Sequence, residues 1–536
     1  MILFVAINSS YVHTNLAVRY LYHICNENYN CRFVEYNINQ DVKSVLYNIL
    51  SYKPDIVAIS TYIWNRNYVL KLAEGIKKVD KNIYIVLGGP EVYFDDISKL
   101  QYIDEIIRGE GEYRILEFLD NYQENNNMYN KKDYPLFDLS HLPFAYKDEI
   151  LDINKIYYYE SSRGCPFRCS YCLSSLDKSV RFAPIEKVFE ELKFLFEKEV
   201  KLIKFVDRTF NIDIERSIKI IEFCKTHSKT TQVHFEISPD LLNDDIIKSL
   251  NNSKKGLFRL EIGLQSFNEQ TLKEINRTYS LEKVDNNLKK LLQDTTCITH
   301  LDLIAGLPHE DYQSFKESFN KTYFYFPDEI QLGFLKVLKG TKIDSQVEKF
   351  NIKYWDTPPY EVISTKSISF NELYRLKQIE EFVDRLYNRR LLLYTIKAIS
   401  KREKPSDFFE KITIAVDINK NNKVFISQLY NFIKSNNYFD NQIELKNIFR
   451  YDILRNLPEE YLPDELVFNE TEKNEIKNRV YQIKDIENFE VNNIKQIQRK
   501  YRVGVFDFNI ENYVKDDIIK FEKAFYVFLN DKIIKI

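Results

Sequence analysis

Residues 161–172 read Ser161-Ser162-Arg163-Gly164-Cys165-Pro166-Phe167-Arg168-Cys169-Ser170-Tyr171-Cys172. Three of the seven cysteines of the chain fall in this stretch, at C-x3-C-x2-C spacing. Thiolates bind iron well, and runs of this kind hold iron–sulfur clusters. A cluster of four irons ordinarily takes four cysteines, so three leave one iron free to bind a small molecule. The stretch therefore predicts a 4Fe–4S site at Cys165, Cys169 and Cys172.

The residues around these cysteines suit a loop that wraps a cluster. The loop follows a strand-like run at residues 156–160, and Gly164 and Pro166 interrupt regular secondary structure. Structural zinc needs a fourth ligand close by, and the first Cys or His after the motif is Cys224. The alternatives to an iron–sulfur site are a zinc loop and three reduced cysteines.

The C-x3-C-x2-C run, with Tyr171 directly before its last cysteine, resembles the motif of the radical S-adenosylmethionine (radical SAM) superfamily. The resemblance implies that the iron without a cysteine binds the amino and carboxylate groups of S-adenosylmethionine (SAM). It also implies that Tyr171 lies along the adenine of SAM.

Composition and charge exclude some classes of function. The chain has 536 residues, enough for three domains of ordinary size, and 44% of them are hydrophobic. The formal net charge of −3 predicts no electrostatic footprint for nucleic acid or for an anionic membrane. The sequence contains no apolar run of about 18 residues, so it predicts no membrane span.

Cysteine use and the start of the chain indicate the compartment. The seven cysteines are unevenly spaced and odd in number, which is unlike a disulfide framework. The apolar run at residues 1–7 is too short for the core of a signal peptide and has no basic start. We therefore expect a reducing, cytoplasmic location.

Strand and helix patterns alternate over residues 1–125. Strands are predicted at residues 2–7, 33–36, 56–60, 83–87 and 105–107, with helices at 16–26, 42–52 and 68–79. This alternation predicts an α/β domain that is Rossmann-like or flavodoxin-like, with helices on both faces of a parallel sheet. Ligands of such sheets bind beyond the carboxyl ends of the strands.

The predicted strand ends of this domain carry small and aromatic residues. No G-x-G-x-x-G follows the first strand, which argues against a dinucleotide. The Gly-Gly-Pro-Glu run at 88–91 and the Arg-Gly-Glu-Gly-Glu run at 108–112, just ahead of the cysteine motif, resemble the cobalamin-binding domain joined to radical SAM proteins. The resemblance implies a cobalamin site formed by Ser9, Ser10, His13, Tyr62, Trp64, Gly88, Gly89, Gly109, Glu110 and Gly111. The alternative is a flavodoxin-like accessory domain that binds no cofactor.

The role of His13 has two interpretations. In cobalamin domains of the methionine-synthase type, a His in an Asp-x-His-x-x-Gly loop ligates cobalt. His13 stands in the corresponding loop, but Tyr11 replaces the Asp and Leu16 the Gly, so the residue that would orient the imidazole is absent from it. Either His13 ligates cobalt, or Tyr62 or Trp64 covers the lower face of the corrin and cobalt has no protein ligand.

Residues 126–154 are predicted to be a linker, and residues 155–360 a radical SAM barrel. The linker begins with a polar, nonperiodic stretch, and Pro135 and Pro143 follow it. The barrel strands are predicted at residues 156–160, 202–206, 233–237, 257–264, 298–304 and 329–335, with a helix at 184–200 and further helices between them. The superfamily resemblance implies a partial (β/α)6 barrel of the TIM type, with cofactors at the carboxyl ends of the strands.

Two runs in the barrel are candidates for binding SAM. The Gly-x-Gln-Ser-Phe-Asn run that contains Gln265, Arg277 twelve residues later, and the Asp-Leu-Ile-x-Gly-Leu-Pro run that starts at Asp302 resemble radical enzymes of the coproporphyrinogen dehydrogenase type. The resemblance implies that Arg277 binds the SAM carboxylate through a bidentate fork. It also implies that Glu236, Gln265 and Asp302 bind the amino group or the ribose hydroxyls.

The contact to the SAM amino group stays open. The Gly-Gly-Glu run that usually follows the second barrel strand is absent, and Asp207 stands nearby instead. Asp207 is therefore a candidate SAM ligand as well. For Asp207 and Asp302 alike, the alternative is a strand-end carboxylate that satisfies the local backbone.

Residues 361–536 form a predicted accessory domain, mixed but mainly helical. A long helix is predicted over residues 371–401, and strands at 503–508 and 524–529. This region resembles the C-terminal domain of unknown function found in one cobalamin-dependent radical SAM subfamily. We expect it to cover the barrel mouth, by analogy alone.

Three functions remain open from the sequence. The first is a cobalamin-dependent radical SAM enzyme that methylates an unactivated carbon, and the second is a radical rearrangement or ring contraction without methyl transfer. The third is a non-catalytic corrinoid-sensing or redox-sensing protein. A methylthiotransferase would need three more cysteines ahead of the barrel, where only Cys25 and Cys31 stand.

The partners of a radical SAM enzyme follow from its chemistry. The resemblance implies an external low-potential electron donor of the flavodoxin or ferredoxin type. The sequence assigns no catalytic residue and does not select a substrate.

Overall fold

The computed structural model describes residues 1–123, 134–147, 149–177, 179–293, 295–483, 502–516, 520–528 and 533–535. The chain divides into two units. The first consists of residues 1–311 and 333–369, and the second of residues 312–332 and 370–536. The predicted boundaries at 125, 154 and 360 stay predictions.

The N-terminal part of the first unit is a parallel sheet covered by helices. Its elements are β1 (Ile2–Asn8), α1 (Leu16–Cys25), β2 (Cys31–Asn37), α2 (Val42–Ser51), β3 (Ile56–Ser60), α3 (Arg66–Val79), β4 (Tyr84–Gly88), β5 (Glu105–Ile107) and α4 (Gly111–Gln123). The strand order is β2-β1-β3-β4-β5. This order is flavodoxin-like, and its direction reverses between β1 and β3, where ligands of such sheets bind.

The sequence of β1 explains why this sheet is covered on both faces. All seven residues of the strand are buried, and alternate residues face opposite sides. Leu3 and Val5 share a core cluster with residues of α2 and α3. Ile2 and Phe4 share another with residues of α1 and α4. The predicted parallel α/β domain is confirmed, although α4 was not predicted.

A second sheet contains the predicted barrel strands. The elements that follow the first sheet in this unit are β6 (Ile156–Tyr159), β7 (Ser162–Arg163), β8 (Arg181–Phe182), α5 (Ile185–Glu197), β9 (Leu202–Phe205), α6 (Ile214–His227), β10 (Gln232–Ile237), α7 (Asp244–Asn251), β11 (Phe258–Gln265), α8 (Glu269–Glu274), α9 (Leu281–Gln293) and β12 (Ile298–Ala305). After them come β13 (Glu329–Phe334), β14 (Lys353–Tyr354) and β15 (Val362–Ser364), and only the last two residues of β13 belong to the first unit.

The six-stranded sheet has the order β13-β12-β11-β10-β9-β6. The four pairings from β6 to β12 are all parallel. The buried rings of Phe205, Phe235 and Phe258 pack against one another across three neighbouring strands, edge to face at 4.9 Å and stacked at 5.6 Å between centroids. Strand alternation turns charged residues such as Lys204 to the opposite face of the sheet. The predicted partial (β/α)6 arrangement is confirmed.

The second unit is mainly helical, as predicted. Its elements are α10 (Tyr312–Tyr323), α11 (Phe370–Val383), α12 (Leu393–Ile399), α13 (Pro405–Ala415), α14 (Asn422–Ser435), α15 (Gln442–Asn456), α16 (Glu470–Ile483), β16 (Arg502–Phe508), α17 (Ile510–Asp516), β17 (Phe521–Phe528) and β18 (Ile533–Lys535). The three strands form an antiparallel sheet in the order β16-β17-β18. Residue 529 of the predicted last strand and residues 126–133 of the predicted linker lie outside the described residues.

The prediction of one helix over residues 371–401 is wrong. The helix ends at Val383, continues as a wider π-helical turn to Asn388, and breaks at Arg390, whose φ is +59°. The cause is tertiary, because Asn388 exchanges two hydrogen bonds with the backbone of Ile330, at 2.9 and 3.0 Å. Such a contact leaves no mark in the apolar periodicity of the sequence. None of the described helices is both long enough and apolar enough to cross a membrane.

The turn after β3 depends on one buried amide and supplies the first testable prediction. Asn65 is fully buried and donates to the carbonyl oxygens of Ile7 and Ser60 at 2.9 and 3.0 Å, while it accepts from the Tyr62 N–H at 2.8 Å. Replacing Asn65 with Leu leaves these groups without partners. We expect the free energy of unfolding to fall by about 3 kcal/mol.

The chain has two tryptophans, and Trp64 lies next to this turn. In a Trp355→Phe background, urea unfolding followed by Trp64 fluorescence therefore measures the effect locally. Asn67→Leu, at an exposed position of α3, is the matched control and should change the free energy by about 0.5 kcal/mol or less. Equal urea midpoints of unfolding for Asn65→Leu and Asn67→Leu would contradict the role of Asn65.

Candidate functional site

The cysteine motif lies in a loop that a short hairpin closes. β7 and β8 pair antiparallel, with Ser162 opposite Phe182 and Arg163 opposite Arg181. Gly164 follows β7 with a φ of +95°, and a Cβ on it would lie 1.7 Å from the carbonyl oxygen of Ser179. Only glycine fits here, because any side chain would collide with the returning backbone.

A buried carboxylate supports the start of this loop. Asp207 is only 2% exposed, and it accepts hydrogen bonds from the N–H and hydroxyl of Ser161 and from the hydroxyl of Ser162. Burial raises the pKa of Asp207 to about 6, and these hydrogen bonds oppose the rise. The carboxylate therefore holds the segment that enters the cysteine motif, and its contact with SAM stays a prediction.

The three cysteines have different surroundings. Cys169 is buried, whereas Cys165 and Cys172 are half-buried. Burial raises the pKa of the Cys169 thiol, and Arg277, with Nη1 3.8 Å from its sulfur, partly offsets this. Cys165 Sγ lies 3.6 Å from the hydroxyl of Thr209. In the part of the chain that the structure describes, no three His, Cys, Asp or Glu side chains converge to hold a single metal ion.

Arg277 joins the cysteine loop to β11. Its guanidinium lies 3.4 Å from the hydroxyl of Tyr171 and donates to the carbonyl of Gly263, and it stands over the ring of Tyr279 at 5.6 Å. A register shift between Gly263 and Gln265 and a φ of +70° at Gln265 end the strand at this point. The structure thus brings together Tyr171, Gln265 and Arg277, which the sequence assigned to SAM.

Two polar atoms in this group are buried without a partner. Gln265 Oε1 and Arg277 Nε make no hydrogen bond to any described residue. An unsatisfied buried polar atom is costly, so such atoms point to a ligand that completes them. The carboxylate, amine and hydroxyl groups of SAM offer suitable partners, and the residues present therefore fit SAM.

The barrel interior carries opposed charges. Lys204 Nζ and His234 Nε2 each lie 3.1 Å from the Glu261 carboxylate. Burial opposes ionisation of Glu261, but these two contacts outweigh it and lower the pKa of Glu261 to about 2. Burial raises the pKa of Glu236, and the nearby Arg208 charge opposes the rise.

Asp302 lies in the same interior. Its Oδ1 is 3.3 Å from His300 Nε2. Burial and then the charges of Glu261 and Glu236 raise the pKa of Asp302 well above its usual range. A protonated Asp302 has a hydroxyl with which to donate a hydrogen bond, so the group can serve a ligand as donor or acceptor.

A cavity of about 860 Å³ opens where the carboxyl edge of the first sheet meets the strand ends of the second. Of the residues that the sequence assigned to cobalamin, only Ser10 does not line it. Of those assigned to SAM, Glu236 lines it, together with Lys204 and Arg208 from the barrel. The predicted cobalamin site therefore faces this cavity, and the predicted SAM site reaches it through Glu236.

The glycines on the cavity wall leave room for a bound group. A Cβ on Gly88 would meet only the carbonyl oxygen of Ile107, at 3.8 Å, and one on Gly109 only Arg114 Nε, at 3.7 Å. A Cβ on Gly89 would lie 2.5 Å from the Thr61 carbonyl, so that glycine serves the turn. A volume near 860 Å³ is at the upper end of the range for small-molecule cavities and fits a large flat cofactor such as cobalamin.

Tyr62, Trp64 and His13 lie where the strand order reverses between β1 and β3, and each of them contacts another ring. The rings of Tyr62 and Trp64 stack at 4.5 Å with an interplanar angle of 5°. The Nδ1 of His13 lies 2.7 Å from the hydroxyl of Tyr158, which projects from the first barrel strand. Burial, and then the charge of Lys204, lower the pKa of His13. Tyr158 thus supplies from another strand an orienting partner that the local loop lacks, and both interpretations of His13 stay open.

Several cavity residues were not predicted. They are Asn8, Tyr158, Arg163, Lys204, Arg208 and Glu112. Arg208 directly follows Asp207 at the end of β9, and this position was the signal that could have identified it. Glu112 ends the Arg-Gly-Glu-Gly-Glu run that the sequence analysis identified, whereas the contact of Arg163 with it spans 51 positions and leaves no local pattern.

Three family models match successive parts of the chain. A B12 binding domain matches residues 2–119, the radical SAM superfamily matches residues 159–322, and a protein of unknown function, DUF4080, matches residues 348–528. The radical SAM match implies a 4Fe–4S cluster and SAM, and the B12 match implies cobalamin.

The relatives with similar sequences align with only part of this chain. An uncharacterized methyltransferase of Pyrococcus horikoshii is 28% identical over 257 residues, which are 43% of this chain and 55% of the relative. The cobalamin-dependent radical SAM methyltransferase TokK of Streptomyces tokunonensis is 26% identical over 49% of this chain and 44% of its own. The chain spans about half the length of the curated relatives that it matches.

Two solved structures share the fold of this chain. The cobalamin-dependent SAM radical enzyme OxsB, with aqua-cobalamin and SAM bound, has a TM-score of 0.59 and 14% identity over 91% of this chain and 84% of its own. The radical SAM methyltransferase TsrM of Kitasatospora setae, with tryptophan substrate and a SAM analogue bound, has a TM-score of 0.54 and 13% identity over 67% of this chain and 79% of its own. At these identities the likeness concerns the fold.

The collision at Gly164 supports a prediction about the cysteine loop. Gly164→Ala is expected to abolish most cluster assembly, because the new Cβ would lie 1.7 Å from the Ser179 carbonyl. The readout is iron and sulfide per chain after anaerobic reconstitution. Gly256→Ala is the matched control: its φ of +76° carries a similar backbone penalty, but the nearest atom to its Cβ is at 3.8 Å. Equal loading of the two variants would contradict the close approach.

The open space beside Gly88 supports a graded prediction about the cavity. Gly88→Ala adds one methyl group to the cavity wall, whereas Gly88→Val adds a branched side chain at an ordinary backbone conformation. We expect Gly88→Val to weaken hydroxocobalamin binding by about tenfold or more, which is about 1.4 kcal/mol, and Gly88→Ala to weaken it less. Equilibrium dialysis of the purified variants gives the two dissociation constants. Unchanged affinity in Gly88→Val would place the corrin elsewhere.

Proposed function

We propose that this chain, which belongs to the radical SAM superfamily and combines its barrel with a B12-binding domain and a C-terminal domain of unknown function, is a cobalamin-dependent radical methyltransferase. The observation that carries the proposal is the shared cavity of about 860 Å³. Residues at the carboxyl edge of the first sheet and at the barrel strand ends line the same space. A radical generated in the barrel and a methyl donor on the first sheet would thus meet on one substrate.

The bound cofactors would supply a 5′-deoxyadenosyl radical, which abstracts hydrogen from an unactivated carbon, and a methyl group, which takes the place of that hydrogen. The protein supplies binding, orientation and exclusion of water. Cys165, Cys169 and Cys172 would hold the cluster, and Asp207 positions the segment that precedes them through Ser161.

The residues around Arg277 would hold SAM. The guanidinium would bind the methionyl carboxylate through the fork that remains beside its contact with Gly263, and the amide of Gln265 would bind through its free oxygen. Asp302 and Glu236 would bind the amino group or the ribose hydroxyls, and Tyr171 would lie along the adenine. Both carboxyl groups have raised pKa values because they are buried, and a hydroxyl or ammonium partner would suit them in either protonation state.

The cavity edge of the first sheet would hold cobalamin. Gly88 and Gly109 leave space for the corrin, and the stacked pair of Tyr62 and Trp64 would cover one of its faces. His13 faces the same cavity beside Tyr158.

Radical SAM enzymes need an external reductant. We propose a flavodoxin-like or ferredoxin-like donor and a cytoplasmic location. All seven cysteines are free thiols, which supports a reducing compartment. The substrate is not selected by the groups on the cavity wall, which include both charges and aromatic rings.

Product analysis tests this proposal without knowledge of the substrate, because both diagnostic products derive from SAM. Anaerobically reconstituted protein with hydroxocobalamin, SAM and a low-potential reductant is expected to form 5′-deoxyadenosine and S-adenosylhomocysteine, measured by mass spectrometry. 5′-Deoxyadenosine alone would favour rearrangement or ring contraction. Neither product, from protein that holds a full cluster, would favour a sensor.

Two cysteine variants complete the experiment. Cys169→Ala removes a predicted cluster ligand and should abolish 5′-deoxyadenosine formation while hydroxocobalamin binding persists. Cys224→Ala changes a buried cysteine outside the motif and should keep 5′-deoxyadenosine formation. Full activity in Cys169→Ala would overturn the ligand assignment.

A further inference from the structure

Two glutamates that line the cobalamin side of the cavity also contact the hairpin that closes the cysteine loop. Glu110 and Glu112 belong to the Gly-Glu-Gly-Glu run between β5 and the first turn of α4. Their neighbours Gly109 and Gly111 line the cavity. Glu110 also accepts a hydrogen bond from the N–H of Phe137 in the predicted linker at 2.7 Å, which helps to fix its carboxylate.

Two arginines on the hairpin that closes the cysteine loop form ion pairs with these glutamates. Arg181 contacts both carboxylate oxygens of Glu110, one of them at 3.1 Å, as a bidentate fork. Arg163 Nη1 lies 2.7 Å from Glu112 and 3.3 Å from Glu110. All four side chains are less than one quarter exposed, so solvent screens these ion pairs only partly.

The arginines are also tied into the cysteine loop itself. Arg163 and Arg181 are cross-strand partners in the hairpin, and Arg163 directly precedes Gly164 and Cys165. Arg163 binds both oxygens of Glu160 at 2.8 Å. Arg181 lies 3.1 Å from Asp177.

Asp177 extends the connection to the point where the loop is closed. It accepts from the N–H and hydroxyl of Ser179 at 3.1 and 2.9 Å. The carbonyl of Ser179 is the atom that packs against Gly164. Contacts through Arg181 and Asp177 thus connect Glu110 with the point where the cysteine loop is closed.

Arginine suits this connection for a geometric reason. Its planar fork fixes both the distance and the angle of a carboxylate, whereas lysine fixes neither. The guanidinium groups of Arg163 and Arg181, on adjacent strands, thus fix the orientation of the cysteine loop relative to the Gly-Glu-Gly-Glu run.

We propose that Arg163 and Arg181 are positioning residues that couple the two cofactor sites, so that cobalamin in the cavity and the cluster in the cysteine loop raise each other's affinity. Cobalamin orders the Gly109–Glu110–Gly111 segment, and the two ion pairs transmit that order to the cysteine loop. Coupling between binding sites is reciprocal, so the cluster must strengthen cobalamin binding by the same factor. The inference requires that both cofactors bind, but it does not require methyl transfer.

The test is a ratio of two dissociation constants. Hydroxocobalamin binding to the full-length chain is measured by equilibrium dialysis, once with cluster-free protein and once with anaerobically reconstituted protein. We expect the wild-type ratio to be about fivefold or more, within the usual range of such couplings. A ratio of one in the wild type would overturn the proposal.

Arg181→Gln is the principal variant, because Arg181 neither lines the cavity nor ligates the cluster. We expect its ratio to fall to about one while iron loading persists. A merely structural role would weaken binding equally in both forms and leave the ratio unchanged, which would also overturn the proposal. Arg181→Lys keeps the charge and the fold but loses the fork, and its ratio should lie between the two. If Arg181→Gln does not fold, Arg181→Lys decides, and a wild-type ratio in it would contradict the coupling.

Lys77→Gln is the matched control. Lys77 forms an ion pair with Asp104 that is about as buried as that of Arg181 with Glu110, and neither Lys77 nor Asp104 lines the cavity. The variant should therefore keep the wild-type ratio of dissociation constants. Failure of wild-type protein to bind hydroxocobalamin in either form would contradict the proposed function and the coupling together. Binding in both forms with a ratio of one would contradict the coupling alone.

Discussion

The close approach of Gly164 to the Ser179 carbonyl is the constraint on which the candidate site depends. The Cβ of an alanine at this position would lie 1.7 Å from that carbonyl oxygen. The φ of Gly164 is +95°, and a conformation of this kind costs an L-amino acid about 1–2 kcal/mol. Pairing of β7 with β8 closes the loop that contains Gly164, and the buried Asp207 holds Ser161 just before it. The three cysteines are thereby confined to one loop, with Cys169 beside Arg277. The proposed cluster and SAM sites and the ion pairs to Glu110 and Glu112 all involve residues of this loop or of the hairpin that closes it.

The charges of the first unit follow one physical rule. Buried carboxylates persist where a cation or several N–H and O–H donors compensate them. Glu261 has Lys204 and His234, and its pKa falls to about 2. Asp302 has a weaker partner in His300 and two acidic neighbours, and its pKa rises. Gln265 and Arg277, each with a buried polar atom that has no hydrogen-bond partner among the described residues, lie near the strand end where SAM is expected.

Errors in the sequence predictions arose where tertiary contacts override a local pattern. The apolar stripe over residues 371–401 continues through Asn388, yet hydrogen bonds to Ile330 interrupt the helix there. The helix α4 was overlooked because its start, Gly111, belongs to a glycine-rich run that favours a loop. Asp207 lies just after β9, near the predicted strand end, and periodicity does not reveal that its carboxylate accepts a hydrogen bond from the Ser161 N–H. Its contact with SAM stays a prediction.

The sequence by itself determined the parallel α/β class, the cysteine motif, the glycine runs at the strand ends and the cofactors they imply. Period-two and period-3.6 patterns and motif spacing are local properties, and they survive in a one-dimensional string. Only the tertiary structure decided that Glu110 meets Arg181, that Tyr158 meets His13, and that the carboxyl edge of the first sheet and the barrel strand ends line one cavity. The partners in each of those pairs are 71 and 145 residues apart. Their contact depends on how two sheets pack, and no local pattern records that.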